Sequence, residues 1–118
     1  MTTIYGIKNC DTVKKARKWL DRNNIDHQFH DVRSDGLSLQ LIEHWISATN
    51  WEIILNRRGT TWRGLSTKVQ EQISADNVAQ LLLDNPAMIK RPVLDQHGAI
   101  IVGFKPDIYQ ALFNPDLN

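Results

Sequence analysis

Hydrophobic and polar residues follow two different periods along the first part of the chain. Residues 2–7 are rich in β-branched and aromatic side chains and predict a strand. Residues 9–12 provide several helix-capping side chains in a row, and residues 13–20 then place apolar side chains at helical spacing. Residues 27–32 alternate in character, as a strand does. The pattern predicts a strand, a helix and a second strand parallel to the first.

The stretch from about residue 34 to residue 90 has a helical pattern. Ser38 is the predicted cap of a helix whose apolar positions fall within residues 39–46. Residues 56–64 are polar, basic and glycine-bearing, and they predict a loop. Further helical segments follow until Asn85, where a proline comes next and ends the pattern.

The last third of the chain changes back to short apolar runs. Residues 92–95 and 99–103 predict two antiparallel strands, joined by the four residues 95–98. Pro106 then predicts the start of a final helix, with Ile108 among its apolar positions.

These elements together predict the class of fold. The order is βαβ, a helical stretch and then ββα, and a βαβ unit followed by ββα on one sheet is the thioredoxin arrangement. We therefore predict a single α/β domain over residues 1–118. Its thioredoxin-like core has a four-stranded mixed sheet, and a helical insertion interrupts the core at about 34–90.

Composition limits the classes of function. The length of 118 residues suits one domain, and the net charge of +1 argues against a strongly electrostatic nucleic-acid binder, although it leaves a local basic patch open. No apolar run approaches the roughly 20 residues of a membrane span. The N-terminus has no basic stretch followed by an apolar run, so no signal peptide is indicated. We expect a cytoplasmic protein with neither a membrane nor a nucleic acid as its partner.

The chain contains one cysteine, Cys10, at the predicted junction of the first strand and the first helix. A single cysteine excludes a disulfide within the chain and a metal site built from several cysteines. The unpaired amides and the dipole of a helix N-terminus favour a thiolate. Position 13 is Val, so a C-x-x-C motif is absent, and the resolving thiol must come from another molecule such as glutathione. An inert buried cysteine is the alternative interpretation.

Several basic residues are candidates for binding an anion beside this thiol. Arg57 lies in the predicted insertion loop, Arg91 precedes Pro92, and Lys105 precedes the final helix. Guanidinium groups bind carboxylates and oxyanions in bidentate fashion, although solvated surface charges are the alternative for each residue alone. Pro92, at the start of a predicted strand, is a candidate for the cis-proline that faces the active-site cysteine in thioredoxin folds. The histidines are interpreted as surface residues, so no metal site is predicted.

Four segments together resemble one known family. The matching segments are residues 4–12, Arg57, residues 88–94 and residues 102–106. They resemble the arsenate reductase (ArsC) and Spx family, and most of all its YffB-type reductases. The resemblance extends from about residue 2 to residue 113. It implies a thioredoxin-like core with a helical insertion, Cys10 as the nucleophile, and a cis peptide bond before Pro92.

The resemblance also implies roles for the basic residues. Arg57 and Arg91 match two of the three basic residues that bind the anion in arsenate reductases. Lys105 matches the third, which is an arginine in those enzymes. A histidine four residues before the nucleophile of those enzymes matches Gly6, and a serine three residues after it matches Val13. These departures argue against arsenate reduction, and the absence of a second cysteine argues against a redox switch of the Spx type.

The sequence thus supports one main hypothesis, a glutathione-dependent thiol reductase. Cys10 attacks an electrophilic sulfur, Thr12 and the first amides of the helix stabilise the sulfur, and Arg57, Arg91, Pro92 and Lys105 bind the glutathione or the anionic substrate. Glutathione is the expected co-substrate, glutaredoxin is a further candidate partner, and no tightly bound cofactor is expected. The alternatives are an arsenate reductase, an Spx-like regulator that binds RNA polymerase, and a glutathione-binding scaffold without turnover.

Overall fold

Residues 1–114 form four strands and seven α-helices in the computed structural model, which describes this part of the chain. In chain order the elements are β1 (Thr2–Gly6), α1 (Asp11–Arg22), β2 (His27–Asp31), α2 (Leu39–Ala48), α3 (Trp51–Ile54), α4 (Thr60–Arg63), α5 (Thr67–Glu71), α6 (Val78–Asp84), β3 (Val93–Gln96), β4 (Ala99–Val102) and α7 (Pro106–Phe113). A short 3₁₀ helix, Pro86–Met88, precedes β3. The sequence predicts a frayed tail at 114–118, and residues 115–118 of it lie outside the described residues.

The elements divide into two compact units. The first contains Met1–Asp31 and the chain from Arg91 onward, and the second is Val32–Lys90. The first unit holds a four-stranded sheet in the order β2-β1-β3-β4. Strand β1 is parallel to β2 and antiparallel to β3, and β3 is antiparallel to β4. The predicted thioredoxin-like α/β fold with a mixed sheet is confirmed, while the assignment of a single domain stays a prediction.

The core of the first unit lies between one face of the sheet and helix α1. Val13, Ala16 and Leu20 are fully buried on α1, and Ile4 and Leu94 from the two central strands belong to one cluster with Ala16 and Leu20. The helix forms because these residues recur on one face while the other faces carry charged side chains. Helix α1 therefore has a fixed position on the sheet, and its N-terminus follows the end of β1.

Helix α7 adds an aromatic layer to this core and corrects one detail of the prediction. Ile108, expected on its apolar face, is 43% exposed, whereas Tyr109 is fully buried. The ring of Tyr109 packs edge-on against Trp19 and Phe104, at centroid distances of 5.5 and 4.8 Å. Burial raises the pKa of the Tyr109 phenol, so it stays neutral.

The hairpin of β3 and β4 is tighter than predicted. Gln96 pairs with Ala99, so His97 and Gly98 alone form the turn, instead of the four residues 95–98. Both have positive φ, 52° and 92°, as a two-residue hairpin turn requires. The N–H of Gly98 donates to Oδ1 of Asp95 at 2.8 Å.

The second unit is helical, in agreement with the pattern of its sequence. Ser38 caps α2 as predicted, with its Oγ accepting from the N–H of Leu41 at 3.1 Å. Residues 56–64 are predicted as a loop, and the structure corrects this because they contain the short helix α4. The carbonyl of Trp62 in this helix accepts a hydrogen bond from Nε2 of Gln70 at 2.8 Å, so a contact distant in sequence supports it. No helix in the described part of the chain is both long enough and apolar enough to cross a membrane.

Candidate functional site

Cys10 is the N-cap residue of α1. Its backbone is extended, with φ −113° and ψ 121°, and its carbonyl accepts the first helical hydrogen bond, from the N–H of Lys14 at 3.0 Å. The side chain is a free, half-buried thiol that makes no capping hydrogen bond. Thr12 lies exposed in the first turn of the same helix. The first N–H groups of a helix have no partners within it, so the helix supplies donors and a positive dipole end beside this sulfur.

The sheet register brings two more predicted site residues, Pro92 and Lys105, to the same edge as this junction. Tyr5 near the end of β1 pairs with Val93 at the start of β3. Pro92 precedes β3 directly, and its carbonyl accepts a hydrogen bond from the N–H of Gly103, just after β4, at 2.8 Å. Lys105 follows two residues later as the N-cap of α7. The ends of three strands thus place the Cys10 loop, Pro92 and Lys105 at one edge of the first unit.

Arg91 and Pro92 differ from Lys105 in their burial. Pro92 is buried, and the peptide bond between Arg91 and Pro92 is cis, as the family resemblance implies. Arg91 is half-buried and its Nε is buried. Lys105 is exposed, and its ammonium has no ion-pair partner within residues 1–114. The unpaired Lys105 ammonium is the most accessible cation among the predicted site residues of this unit.

Arg57 belongs to the second unit, where its guanidinium lies beside two indole rings. Its Cζ is 5.7 Å from the ring centroid of Trp51 and 5.7 Å from that of Trp62. Both distances lie within the range in which a cation is attracted to an aromatic face. Arg57 remains exposed, so the indoles restrict the guanidinium without covering it. The position of Trp51 beside Arg57 could not be found from the sequence, whereas Trp62 lies within the predicted basic loop of residues 56–64.

The two histidines of β2, His27 and His30, are interpreted from the sequence as surface residues, and the structure corrects this interpretation. His27 is half-buried, with its Nδ1 2.7 Å from the carbonyl oxygen of Ile25. The half-buried ring of His30 packs on Tyr5 with a centroid distance of 4.9 Å.

Burial, together with the negative charge of Asp95, raises the pKa of the Tyr5 phenol. Tyr5 is therefore a neutral hydrogen-bonding group one residue before the end of β1.

Gly6, the last residue of β1, lies directly against Val13 on the first turns of α1. A Cβ atom at position 6 would stand 2.7 Å from Cγ2 of Val13, closer than real side chains approach. Val13 is fully buried and its branched side chain has little freedom to rotate away. The packing of Gly6 against Val13 behind the Cys10 junction is therefore apolar, and it depends on the absence of a side chain at position 6.

Residues 5–112 of the chain match the model of the ArsC family. The chain belongs to the ArsC family. A solved YFFB protein superposes with a TM-score of 0.90 at 42% identity, covering 94% of this chain and 97% of its own. An arsenate reductase (ArsC) related protein from Brucella melitensis gives a TM-score of 0.76 at 47% identity, covering 96% and 94%. The global transcriptional regulator Spx of Streptococcus pyogenes is 27% identical, covering 98% of this chain and 87% of its own length.

The contact of Gly6 with Val13 also lies where this ArsC-family chain departs from the arsenate reductase pattern. These two residues stand where the resemblance to arsenate reductases places a histidine and a serine. A histidine side chain at position 6 would require Val13 to move, so the two departures from that pattern depend on each other. The site of this chain is built without either polar group.

We expect Gly6→Ala to destabilise the protein by about 1–3 kcal/mol, because the added methyl group overlaps Val13. Combining it with Val13→Ala removes the overlap, so the double variant should lose less than the sum of the two single losses, by about 1 kcal/mol or more. Urea unfolding of the wild type and the three variants measures this coupling. Strictly additive losses would show that the two positions are not in contact.

Proposed function

We propose that this ArsC-family chain is a glutathione-dependent thiol/disulfide reductase in which Cys10 is the single nucleophile. The observation that carries the proposal is the position of the thiol. Cys10 occupies the N-cap position of α1, at the sheet edge where Pro92 and Lys105 also lie, and the Lys105 ammonium has no ion-pair partner within residues 1–114. The full sequence contains no second cysteine, so the partner thiol must arrive from solution.

The proposed reaction consists of two thiol–disulfide exchanges. The Cys10 thiolate attacks the glutathione sulfur of a mixed disulfide, which breaks the S–S bond and releases the substrate as a thiolate that takes up a proton. A second glutathione thiolate then attacks the glutathione sulfur bound to Cys10, forming oxidised glutathione and restoring the Cys10 thiolate. In total, the mixed disulfide and one glutathione thiol are converted into a substrate thiol and oxidised glutathione, so one disulfide replaces another and the proton of the glutathione thiol ends on the substrate.

The residues of the first unit have distinct parts in this proposal. Thr12 and the first amides of α1 stabilise the sulfur of Cys10. The backbone of Arg91 and Pro92 aligns the glutathione peptide, and the hydrogen bond from the N–H of Gly103 to the Pro92 carbonyl supports this segment. The ammonium of Lys105 binds a glutathione carboxylate, and the side chain of Arg91 keeps its predicted role in binding anions. Arg57, which belongs to the second unit, keeps its own predicted role as an anion-binding residue.

We expect Lys105→Ala to raise the KM for glutathione by about three- to tenfold, with a smaller change in kcat, because it removes one exposed charge contact. The side chain is exposed and makes no capping hydrogen bond, so the fold should persist. Initial rates over a range of glutathione concentrations measure the effect. Lys68→Ala, which removes an exposed cation of α5, is the matched control and should leave the KM unchanged. An unchanged KM in Lys105→Ala would remove Lys105 from the binding role.

The descriptions of two relatives suggest two other functions, and each of them can be tested by experiment. The Brucella melitensis neighbour is described as arsenate reductase related, and arsenate turnover that disappears in Cys10→Ser would establish that activity here. The apolar contact of Gly6 with Val13, where the arsenate reductase pattern has a histidine and a serine, argues against it. The Streptococcus pyogenes relative is a transcriptional regulator, and specific capture of the RNA polymerase α subunit would support that role instead.

A further inference from the structure

The first unit carries a groove that combines cationic side chains with aromatic ones. It has a volume of about 240 Å³ and is lined by Lys15, Lys18, Trp19, Arg22, Phe104 and Pro106. We call this surface the basic groove. The proposed redox chemistry assigns no role to any of these six residues.

One wall of the basic groove is a single stripe of α1. Lys15, Lys18, Trp19 and Arg22 recur at intervals of three and four residues, so they lie on one face of the helix. This face is distinct from the buried face that packs on the sheet. The opposite wall comes from Phe104, which lies between β4 and α7, and from Pro106, the first residue of α7. Two elements that are fixed to the same core thus enclose the groove.

The cations of the basic groove form no ion pairs with the residues that the structure describes. Lys15, Lys18 and Arg22 are exposed, and none has an ion-pair partner within residues 1–114. No carboxylate is among the lining residues. Asp21 of the same helix lies near His27 instead, with 3.8 Å between its Oδ1 and Nε2 of the histidine. The near-neutral chain therefore carries a local concentration of positive charge at this groove.

The apolar part of the basic groove is held in place from below. Trp19 and Phe104 both pack edge-on against the fully buried Tyr109. Trp19 also lies 6.0 Å from the ring of Phe113. These contacts fix the aromatic side chains before any ligand arrives, which lowers the entropic cost of binding.

We propose that the basic groove binds an acidic segment of a partner protein, in which a large apolar side chain is flanked by carboxylates. The volume suits one such side chain, which would contact Trp19 and Phe104, while the flanking carboxylates pair with the three cations. This proposal does not depend on the redox activity of Cys10.

A single-stranded nucleic acid is a poorer match for this surface. Sequence-tolerant binding needs open aromatic faces on which successive bases stack, together with a cationic track along the backbone. Trp19 is half-buried and engaged with Tyr109 and Phe113, and the three cations occupy one short stripe. The groove therefore offers one pocket rather than a stacking platform.

An NMR titration with a model peptide tests the proposal. The probe is a blocked pentapeptide with one phenylalanine between two pairs of glutamates, added to the isotope-labelled full chain. We expect saturable shifts of the Trp19 indole N–H and of the amides along the stripe of α1. The same peptide with serine in place of phenylalanine should bind at least about tenfold more weakly, because it leaves the apolar pocket empty.

Charge reversal in the protein provides the matched comparison. Combined Lys15→Glu and Lys18→Glu should weaken peptide binding by about tenfold or more, since two attractions become repulsions. Combined Lys68→Glu and Lys90→Glu changes the net charge equally at exposed sites of the second unit and should leave binding intact. No saturable shift at the groove, equal weakening by both double variants, or tighter binding of a uridine-rich oligonucleotide than of the peptide would overturn the proposal.

Discussion

Replacing Cys10 with serine is expected to lower glutathione-dependent reduction of a mixed disulfide by a factor on the order of 10³ or more, because a hydroxyl cannot replace the thiolate as nucleophile. The measurement is the initial rate at which oxidised glutathione forms from a glutathionylated peptide and reduced glutathione. Wild-type protein and the background reaction without protein provide the reference rates.

The same substitution should leave the fold unchanged, which separates loss of chemistry from loss of structure. Cys10 is the N-cap of α1, a position where serine is among the favoured residues. The free energy of unfolding should therefore stay the same or rise by less than about 1 kcal/mol. A folded Cys10→Ser protein that keeps more than a tenth of the wild-type rate would show that Cys10 is not the nucleophile.

Leu20→Ala should have the largest effect on stability among the variants considered, with a loss of about 2–5 kcal/mol of unfolding free energy. Leu20 is fully buried in the cluster between α1 and the sheet, together with Ile4 and Leu94. Alanine favours helices as well as leucine does, so the loss reports the cavity rather than a weaker helix. Urea unfolding followed by circular dichroism measures the change.

Ile108→Ala is the matched control for that experiment. It also removes a large aliphatic side chain from a helix of the first unit, but Ile108 is 43% exposed on α7. We expect a loss of less than about 1 kcal/mol at this position. If the two substitutions cost the same, the assignment of the α1 face as the core of this unit is wrong.

The elements that could be predicted from sequence are those in which two local signals agree. Strand β1 combines β-branched residues with a following set of caps, and α1 combines those caps with an apolar face. Helix α2 begins after Ser38 because the hydroxyl caps it and the apolar spacing follows at once. Such signals are contained within a few residues, so the chain does not need to be folded for them to be seen.

Two of the errors, at α4 and at the buried face of α7, occur where contacts outside the local pattern decide the structure. Helix α4 has only four residues, and a hydrogen bond from Gln70 to the carbonyl of Trp62 supports it. On α7, helical spacing suits Ile108 as well as Tyr109, and Tyr109 became the buried residue because it packs against Trp19 and Phe104. The spacing of a short helix alone does not indicate which of two neighbouring residues faces the sheet.

The candidate site shows the same division. The position of Cys10 at the strand–helix junction follows from local patterns, and the structure has it there. The two indoles beside Arg57 lie several residues away on either side, so no spacing rule indicates them. The burial of Nε of Arg91 likewise depends on packing that a linear sequence does not display.

The most direct test of Cys10 as a nucleophile for an external thiol is its rate of glutathionylation. Mass spectrometry follows adduct formation with oxidised glutathione in the native protein and in the same protein unfolded by urea, at one pH. The proposal predicts an adduct on Cys10 that forms at least about tenfold faster in the native protein and is removed by reduced glutathione. A native rate equal to or below that of the unfolded chain would contradict it, since the fold would then contribute nothing to the thiol.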